Sequence, residues 1–166
     1  MSQALSVIDI VEGTSVDGPG LRTSIYFAGC THHCIGCHNP QSWDVENGRQ
    51  YSIDTLMEII GYNDFPVTLT GGDPLFQIDE VTELARNIKE ELGLNIWCYT
   101  GYLWENIVRH AEYVALLHYI DVLVDGQFMI DKRDTSLRFR GSSNQRIIDV
   151  QASLQAKKVI IADFNS

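Results

Sequence analysis

Basic residues are scarce in this chain, and their scarcity excludes one class of partner. The 166 residues include 12 lysines and arginines against 22 aspartates and glutamates, which gives a net charge of −10. A protein that binds nucleic acid through its phosphates needs a basic face. The composition therefore argues against a nucleic-acid binder and leaves protein partners and small ligands open.

Long apolar runs are also missing. No stretch approaches the roughly 20 apolar residues that a membrane-spanning helix needs. The first residues, 1–4, lack the basic and then apolar pattern of a secretory signal. We therefore expect a cytoplasmic protein, in which cysteines serve as metal ligands or catalytic groups before they serve as disulfides. The length and the lack of repeats or linkers predict one domain over residues 1–166.

Cysteine is the next scarce residue, and its distribution is uneven. Three of the four cysteines, Cys30, Cys34 and Cys37, fall within eight residues in the pattern C-x3-C-x2-C. Cys98 stands alone in an apolar run, and we expect it in the core as a buried thiol. Three thiolates from one loop can hold three corners of an iron–sulfur cubane and leave the fourth iron open to an exogenous ligand.

A structural zinc site is the alternative for the same loop. One of His32, His33 and His38 would then be the fourth ligand, and the protein would be a zinc-stabilised binding module. Zinc sites usually pair two ligand doublets across a longer loop, and this sequence has no second cysteine pair. The spacing therefore favours a cluster over zinc.

Strand-like and helix-like segments alternate along the chain. Ser52 and Asp79 are predicted N-caps, and Gly61 and Gly93 are predicted to end the same two helices. Residues 142–155 fit either a capped helix or a strand at 146–150. Strands separated by helices indicate βαβ units and a parallel sheet, so the fold class is α/β. The predicted strands are 21–28, 66–70, 94–99, 120–124 and 157–162, and the predicted helices are 52–60, 79–92 and 103–116.

Four unusual loops each follow a predicted strand directly: the cysteine loop, the Gly71–Pro74 turn, Thr100-Gly101 and Asp125-Gly126. Because parallel strands place these loops at one edge of the sheet, we expect them to lie together. Two adjacent glycines let a ligand approach the backbone closely, and the carboxylate that follows suits an amino group. A cluster with an open iron beside this turn would form a site for a ligand that carries both an amine and a carboxylate.

This combination resembles the radical S-adenosylmethionine superfamily. The cysteine loop after the first strand and the GG-acid-P turn after the second are the residues that carry the resemblance. It implies a [4Fe–4S] cluster and S-adenosyl-L-methionine, which one electron cleaves to methionine and a 5′-deoxyadenosyl radical. The implied cluster ligands, catalytic through the cluster, are Cys30, Cys34 and Cys37, and the implied cofactor contacts are Gly36, Cys37, His38, Gly71, Gly72, Asp73 and Asp125.

Two positions depart from the superfamily pattern. Gly36 stands where an aromatic residue often precedes the third cysteine. Gln127 stands where some members that activate other enzymes carry a lysine two residues after an aspartate. Backbone groups of Gly36 and His38 are then the expected contacts to adenine. Although that lysine is missing, Asp125 is still expected to contact the ribose or the methionine amine of the cofactor.

Longer runs resemble the activases of glycyl-radical enzymes, in particular the group that serves anaerobic ribonucleoside-triphosphate reductase. The resemblance implies that hydrogen is abstracted from a glycine of that reductase's large catalytic subunit, and the chemistry implies a low-potential electron donor such as flavodoxin. The alternatives are an activase of another glycyl-radical enzyme, such as a formate-lyase type, and an enzyme of modified-nucleoside synthesis. Residues 17–22 (DGPGLR) and 37–44 (CHNPQSWD) resemble the activases in general, and the specific resemblance to the reductase group lies in residues 97–102 (WCYTGY), 121–128 (DVLVDGQF) and 140–145 (RGSSNQ).

The length also bears on the architecture. A complete eightfold barrel does not fit comfortably in 166 residues. A partial, open (β/α) barrel of about five or six mostly parallel strands does fit, and it leaves one side free. A macromolecular substrate needs such access, because its glycine must come within near-contact distance of the radical.

Overall fold

The computed structural model describes residues 4–30 and 44–162, and strands and helices alternate through most of them. The strands form one sheet, and the helices pack against it. The strands are β1 (Ala4–Thr14), β2 (Arg22–Phe27), β3 (Arg49–Ser52), β4 (Val67–Gly71), β5 (Ile96–Tyr99), β6 (Val122–Asp125) and β7 (Arg146–Asp149), and the helices are α1 (Ile53–Asn63), α2 (Ile78–Asn87), α3 (Trp104–Ile107), α4 (Ala111–Leu117) and α5 (Val150–Ala156).

The strands of the described residues form one seven-stranded sheet in the order β3-β1-β2-β4-β5-β6-β7. Its centre is parallel, since β2, β4, β5 and β6 pair in that order in the same direction. The flanks are antiparallel, because β1 pairs with β2 and β3, and β6 pairs with β7. The α/β class and the parallel centre are confirmed, whereas the prediction of five or six mostly parallel strands missed β1 and β3.

Side chains alternate between the two faces of the sheet, and the two faces differ. One face packs against the helices in a core that joins strand residues such as Ile25, Leu69 and Leu123 to helix residues such as Leu56 and Leu84. Cys98 lies fully buried in this core, so its expected role as a core thiol is confirmed. The helices therefore cover one face of the sheet and leave the other to loops.

The second face carries a smaller apolar cluster around Trp97, Val124 and Ile147. The ring of Phe139 packs edge-on against Trp97, with 5.4 Å between ring centroids. The hydroxyl of Tyr99 donates to the carbonyl oxygen of Phe139 at 2.6 Å. The connection between β6 and β7 therefore folds back over this face of the sheet.

Helix boundaries agree with the prediction at some ends and differ at others. Ser52 caps α1 as predicted, since its hydroxyl accepts from the Thr55 amide, but α1 runs past Gly61 to a left-handed Asp64. Gly93 ends the second helix as predicted, after a π-helical turn at Ile88–Leu92. Asp79 is not an N-cap, because the chain enters α2 directly from a 3-10 turn that begins four residues earlier.

The C-terminal third contains two further corrections. The single helix predicted for 103–116 is divided into α3 and α4. The ambiguous segment 142–155 is a strand and then a helix, with the Asp149 carboxylate capping α5 through the Ala152 amide. The strand predicted at 157–162 reduces to one isolated bridge between Ile148 and Ile161. The apolar residues of segment 157–162 favour a strand by composition. Because α5 ends only at Ala156, few residues remain to pair with the sheet.

Candidate functional site

The carboxyl ends of β2, β4, β5 and β6 lie side by side, as the sequence predicted. The amide of Asp73, after β4, donates to the carbonyl oxygen of Gly29, after β2, at 2.9 Å. The amide of Gly101, after β5, donates to the Asp73 carboxylate at 2.9 Å. The amide of Gly126, after β6, donates to the carbonyl oxygen of Tyr102 at 3.2 Å. Hydrogen bonds therefore join the four loops along what we call the carboxyl edge.

The first loop leaves the sheet through Gly29 and Cys30. Gly29 has φ +96°, and a Cβ built there would lie 1.9 Å from Cδ1 of Phe76. Only glycine combines this backbone conformation with the close approach of the Phe76 ring. Cys30 follows directly and is half-buried. The first predicted cluster ligand thus lies at the carboxyl edge, beside the loop that follows β4.

The second loop contains the two predicted glycines. Gly71 has φ +102°, and a Cβ there would lie 2.2 Å from the amide nitrogen of Phe27. The amide of Gly72 donates to the carbonyl oxygen of the same Phe27 at 2.8 Å. Close packing of β4 on β2 therefore requires glycine at position 71, whether or not a ligand binds. Both glycines are only half-buried, so part of their backbone lies open at the edge.

Asp73 is buried, and its carboxylate bonds within the fold. One oxygen accepts from the Leu75 amide at 3.0 Å and the other from the Gly101 amide at 2.9 Å. The hydroxyl of Thr100 lies 3.0 Å from both oxygens. Asp73 thus ties the loop after β4 to the loop after β5, a role the sequence did not reveal. Its contact with an amino group of the cofactor stays a prediction.

Asp125 ends β6 and is also turned inward. Its carboxylate accepts from the Trp104 amide at 2.8 Å and from Nε and Nη2 of Arg146 at 3.0 and 2.5 Å. Arg146 binds Glu105 as well, with N–O distances of 2.8 and 3.1 Å. Asp125 thus joins β6, β7 and α3, and its predicted contact with ribose or the methionine amine is not tested by this arrangement.

The guanidinium of Arg146 governs the electrostatics of this corner. Hydrogen bonds to Asp125 and then to Glu105 raise the pKa of Arg146 above its ordinary value. The hydrogen bond from Arg146 lowers the pKa of the Glu105 carboxyl. The partner of Arg146 follows from the antiparallel pairing of β7 with β6, which places Arg146 opposite Asp125.

The remaining predicted site residues, Cys34, Gly36, Cys37 and His38, lie outside the described residues. Within residues 4–30 and 44–162, no group of three His, Cys, Asp or Glu side chains is placed to hold a metal ion. The donor set nevertheless fits an iron–sulfur cluster, because Cys30 is a half-buried residue at the carboxyl edge and Cys34 and Cys37 follow within seven residues. Thiolates are the ligands that such clusters take.

Comparison with known proteins adds independent findings. A family model described as a 4Fe-4S single cluster domain matches residues 16–148. The chain is 37% identical over 139 residues to the anaerobic ribonucleoside-triphosphate reductase-activating protein of Escherichia coli K12, covering 78% of this chain and 89% of that protein. Proteins with the same name from Haemophilus influenzae (38% over 143 residues, 80% and 90%) and from enterobacteria phage T4 (34% over 139 residues, 80% and 86%) are also similar. Among the described residues, no helix has the length and apolar character needed to cross a membrane.

Proposed function

This chain belongs to the family of anaerobic ribonucleoside-triphosphate reductase-activating proteins, and we propose that it activates such a reductase by forming a glycyl radical on its large catalytic subunit. A [4Fe–4S] cluster held by Cys30, Cys34 and Cys37 would supply one electron to S-adenosyl-L-methionine, which would yield methionine and a 5′-deoxyadenosyl radical able to take a hydrogen atom from glycine. The products are 5′-deoxyadenosine and the glycyl radical. The enzyme is thus an oxidoreductase whose substrate is another protein.

The observation that carries the proposal is the assembly of the carboxyl edge. Cys30 lies just after β2, and hydrogen bonds join the loop after β2 to Gly71-Gly72-Asp73 after β4, which we call the GGD turn. Both glycines of this turn are only half-buried. A ligand chelated through an amine and a carboxylate at a cluster held by Cys30, Cys34 and Cys37 would lie beside that turn. The same arrangement supports Gly71 and Gly72 as cofactor contacts, with Gly36 and His38 added from the family resemblance.

The two aspartates act differently in this proposal. Asp73 fixes the GGD turn by holding Thr100 and Gly101, so it positions the backbone that meets the cofactor. Asp125 fixes the start of α3 and the β6–β7 corner through Trp104 and Arg146. Both carboxylates remain candidate cofactor contacts, but each must then exchange or share an internal hydrogen-bond partner.

The architecture supports a protein substrate. The sheet has two ends, at β3 and β7, so the strands of the described residues do not close on themselves. We propose that they curl as a partial open barrel over residues 1–166, one activase domain, whose open side admits a loop of the reductase. A low-potential donor such as flavodoxin would supply the electron. A reducing cytoplasm is the fitting compartment, because the cluster ligands must stay thiolates.

Isotope transfer tests the reaction directly. The protein would be reconstituted with iron and sulfide under anaerobic conditions and reduced with dithionite in the presence of S-adenosyl-L-methionine and the reductase. A reductase made with α-deuterated glycine is expected to pass deuterium to 5′-deoxyadenosine while its glycyl radical appears by electron paramagnetic resonance. Product without deuterium, or no radical on the reductase, would refute the proposal.

A matched pair of cysteine variants links the reaction to the predicted ligands. Cys30→Ser removes a predicted cluster ligand at the carboxyl edge, whereas Cys98→Ser changes a buried thiol in the helix-side core. We expect Cys30→Ser to lose the reduced-cluster signal and 5′-deoxyadenosine formation, and Cys98→Ser to keep both. A colourless wild-type protein with one zinc per chain would instead establish the zinc-stabilised binding module.

A further inference from the structure

Exposed apolar side chains gather on the loops that follow the central parallel strands. Within the described residues, Phe76 follows β4, Leu103 follows β5, and Met129 and Ile130 follow β6, and each has at least 42% of its surface exposed. We call these four side chains the apolar rim. Large exposed apolar groups scattered singly need no explanation, but their concentration beside one site does.

The backbone that carries the apolar rim is anchored. Phe76 packs against Gly29, beside Cys30, and Leu103 Cδ2 lies 3.7 Å from where a Cβ on Gly126 would stand. The amide of Met129 donates to the hydroxyl of the fully buried Ser142 at 3.2 Å. Apolar groups held in fixed positions lose little conformational freedom on binding, which is a property of interface anchors.

Segment 126–145 belongs to the carboxyl edge at both of its ends. It leaves β6 after Asp125, and it returns at Arg146, which pairs with Asp125 across the β6–β7 ladder. The side chain of Gln145 donates to the carbonyl oxygen of Gly126 at 3.0 Å, which closes the base of the segment. The segment that carries Met129 and Ile130 is therefore anchored at the same edge as the predicted cluster ligand Cys30.

We propose that the apolar rim is the docking surface for the reductase around its reacting glycine. This inference rests on the proposed function. A glycine has no side chain to recognise, so selection of one glycine must come from contacts with the polypeptide that flanks it. Its Cα must also come within near-contact distance of the radical at the carboxyl edge. The side chains that surround this edge must then meet the flanking surface.

Two features of the chain favour a protein as the occupant of the apolar rim. Glu105 lies two positions after Leu103, and its exposed carboxylate pairs with the part-exposed Arg146, so polar groups lie beside the Leu103 end of the apolar rim. Protein interfaces commonly place polar groups around an apolar centre. An anionic lipid surface is disfavoured, because the chain carries a net charge of −10 and such surfaces bind basic segments.

The test uses a double variant, Leu103→Ser with Ile130→Ser, and a matched control, Tyr62→Ser. Leu103 occupies the N-cap position of α3, where serine is favourable, and Ile130 is 52% exposed, so the double variant should fold. Tyr62 is 88% exposed near the end of α1, which leads to the amino end of β4 on the opposite edge. All proteins would be reconstituted and titrated with the large reductase subunit.

We expect the double variant to need about tenfold or more reductase for half-maximal glycyl radical formation, as the loss of interface anchors does. Its 5′-deoxyadenosine formation without reductase should match the wild type, and Tyr62→Ser should match it in both assays. A half-saturating concentration within twofold of the wild type would overturn the proposal. So would a double variant that disrupts self-association of this chain but leaves the reductase titration unchanged.

A failure of the proposed function can be distinguished from a failure of the apolar rim as a docking surface. If the wild type forms no glycyl radical, the proposed function fails, and calorimetric titration of the same two proteins still measures their binding. Weaker binding by the double variant than by Tyr62→Ser would then support the apolar rim as the docking surface. Equal binding by both variants would overturn it.

Discussion

Replacing Asp73 by asparagine separates two roles for this residue. As a cofactor contact, its carboxylate would receive the amino group of S-adenosyl-L-methionine. As a tie between loops, it holds the Leu75 and Gly101 amides and the Thr100 hydroxyl. Asp73→Asn keeps the size of the side chain but replaces one acceptor oxygen by an NH2 donor. We expect the main effect to be a loss of folding stability.

The hydrogen bonds set the magnitude. In either orientation of the new amide, its NH2 group faces a backbone N–H, that of Leu75 or that of Gly101, and one donor loses its acceptor. Leaving a buried donor unsatisfied costs about 1–3 kcal/mol. The remaining bonds also weaken, because a neutral carbonyl replaces a charged acceptor. We therefore expect the free energy of unfolding to fall by about 2–3 kcal/mol.

Two measurements on the reconstituted protein check this prediction under anaerobic conditions. Urea unfolding followed by circular dichroism gives the free energy of unfolding. The rate of 5′-deoxyadenosine formation against cofactor concentration gives the half-saturating concentration in the folded protein. The reasoning would be refuted by unchanged stability, within about 0.5 kcal/mol as for an ordinary surface change, together with a half-saturating concentration raised more than tenfold.

Thr100→Val supplies the partner variant. It removes the hydroxyl that lies 3.0 Å from both Asp73 oxygens and that also accepts from the Tyr102 amide at 3.1 Å. The single change should cost about 1–2 kcal/mol. In a double-mutant cycle with Asp73→Asn, a tie predicts a coupling energy of about 1 kcal/mol or more, since contacting residues couple on that scale. Additive effects would show that the two side chains act separately.

Three further predictions concern groups away from the GGD turn. Arg146→Met leaves the buried Asp125 carboxylate without its guanidinium and should lower the free energy of unfolding by about 2–4 kcal/mol in urea titrations, with a smaller loss for Arg146→Lys. Burial raises the pKa of Tyr99 in the folded protein. The stability that the neutral phenol contributes is therefore complete below the unfolded pKa of about 10 and is lost as the pH rises above that value. Tyr99→Phe should flatten the fall of the unfolding free energy between pH 9 and about 11. Burial also raises the pKa of the Cys98 thiol, so mass spectrometry should find Cys98 unmodified by iodoacetamide in the native protein and modified in urea.

The sequence predicted the centre of the fold because its signals there are local. β6 is a short apolar run that ends in aspartate, β4 alternates apolar and polar residues and ends in glycine, and the helices between strands show apolar spacing. These signals indicate a parallel sheet and loops that share its carboxyl edge. The meeting of the GGD turn with Thr100-Gly101 and the cysteine loop was therefore predictable from the sequence.

The flanking strands were not predictable in the same way. In β1 the buried residues Leu5, Ser6 and Val7 are consecutive and include a polar one, and β1 pairing shifts register twice along β2. Such a strand lacks the strict alternation that marks a half-buried strand. It gains its partners only from the neighbouring strands, which no short window of sequence shows.

The candidate site likewise contains residues that the sequence predicted and partners that it did not. Thiols and glycines are recognisable from spacing, because few other residues serve as cluster ligands or tolerate positive φ. The partners of Asp73 and Asp125 depend on contacts across 27 and 21 positions, so the sequence offered each carboxylate to the cofactor without showing its internal donors. Arg146 likewise required the antiparallel alignment of β7 on β6.

These internal partners suggest how the carboxyl edge is prepared for its ligand. Asp73 links the loops after β4 and β5, and Asp125 links β6 to β7 and α3. Between them, the side-chain carboxylates fix the loops, while Gly71, Gly72 and Cys30 are only half-buried. A site whose loops are already fixed loses less conformational entropy when it binds a ligand. The aspartates would then contribute to cofactor affinity through geometry, so conservative variants should lower stability before they lower binding.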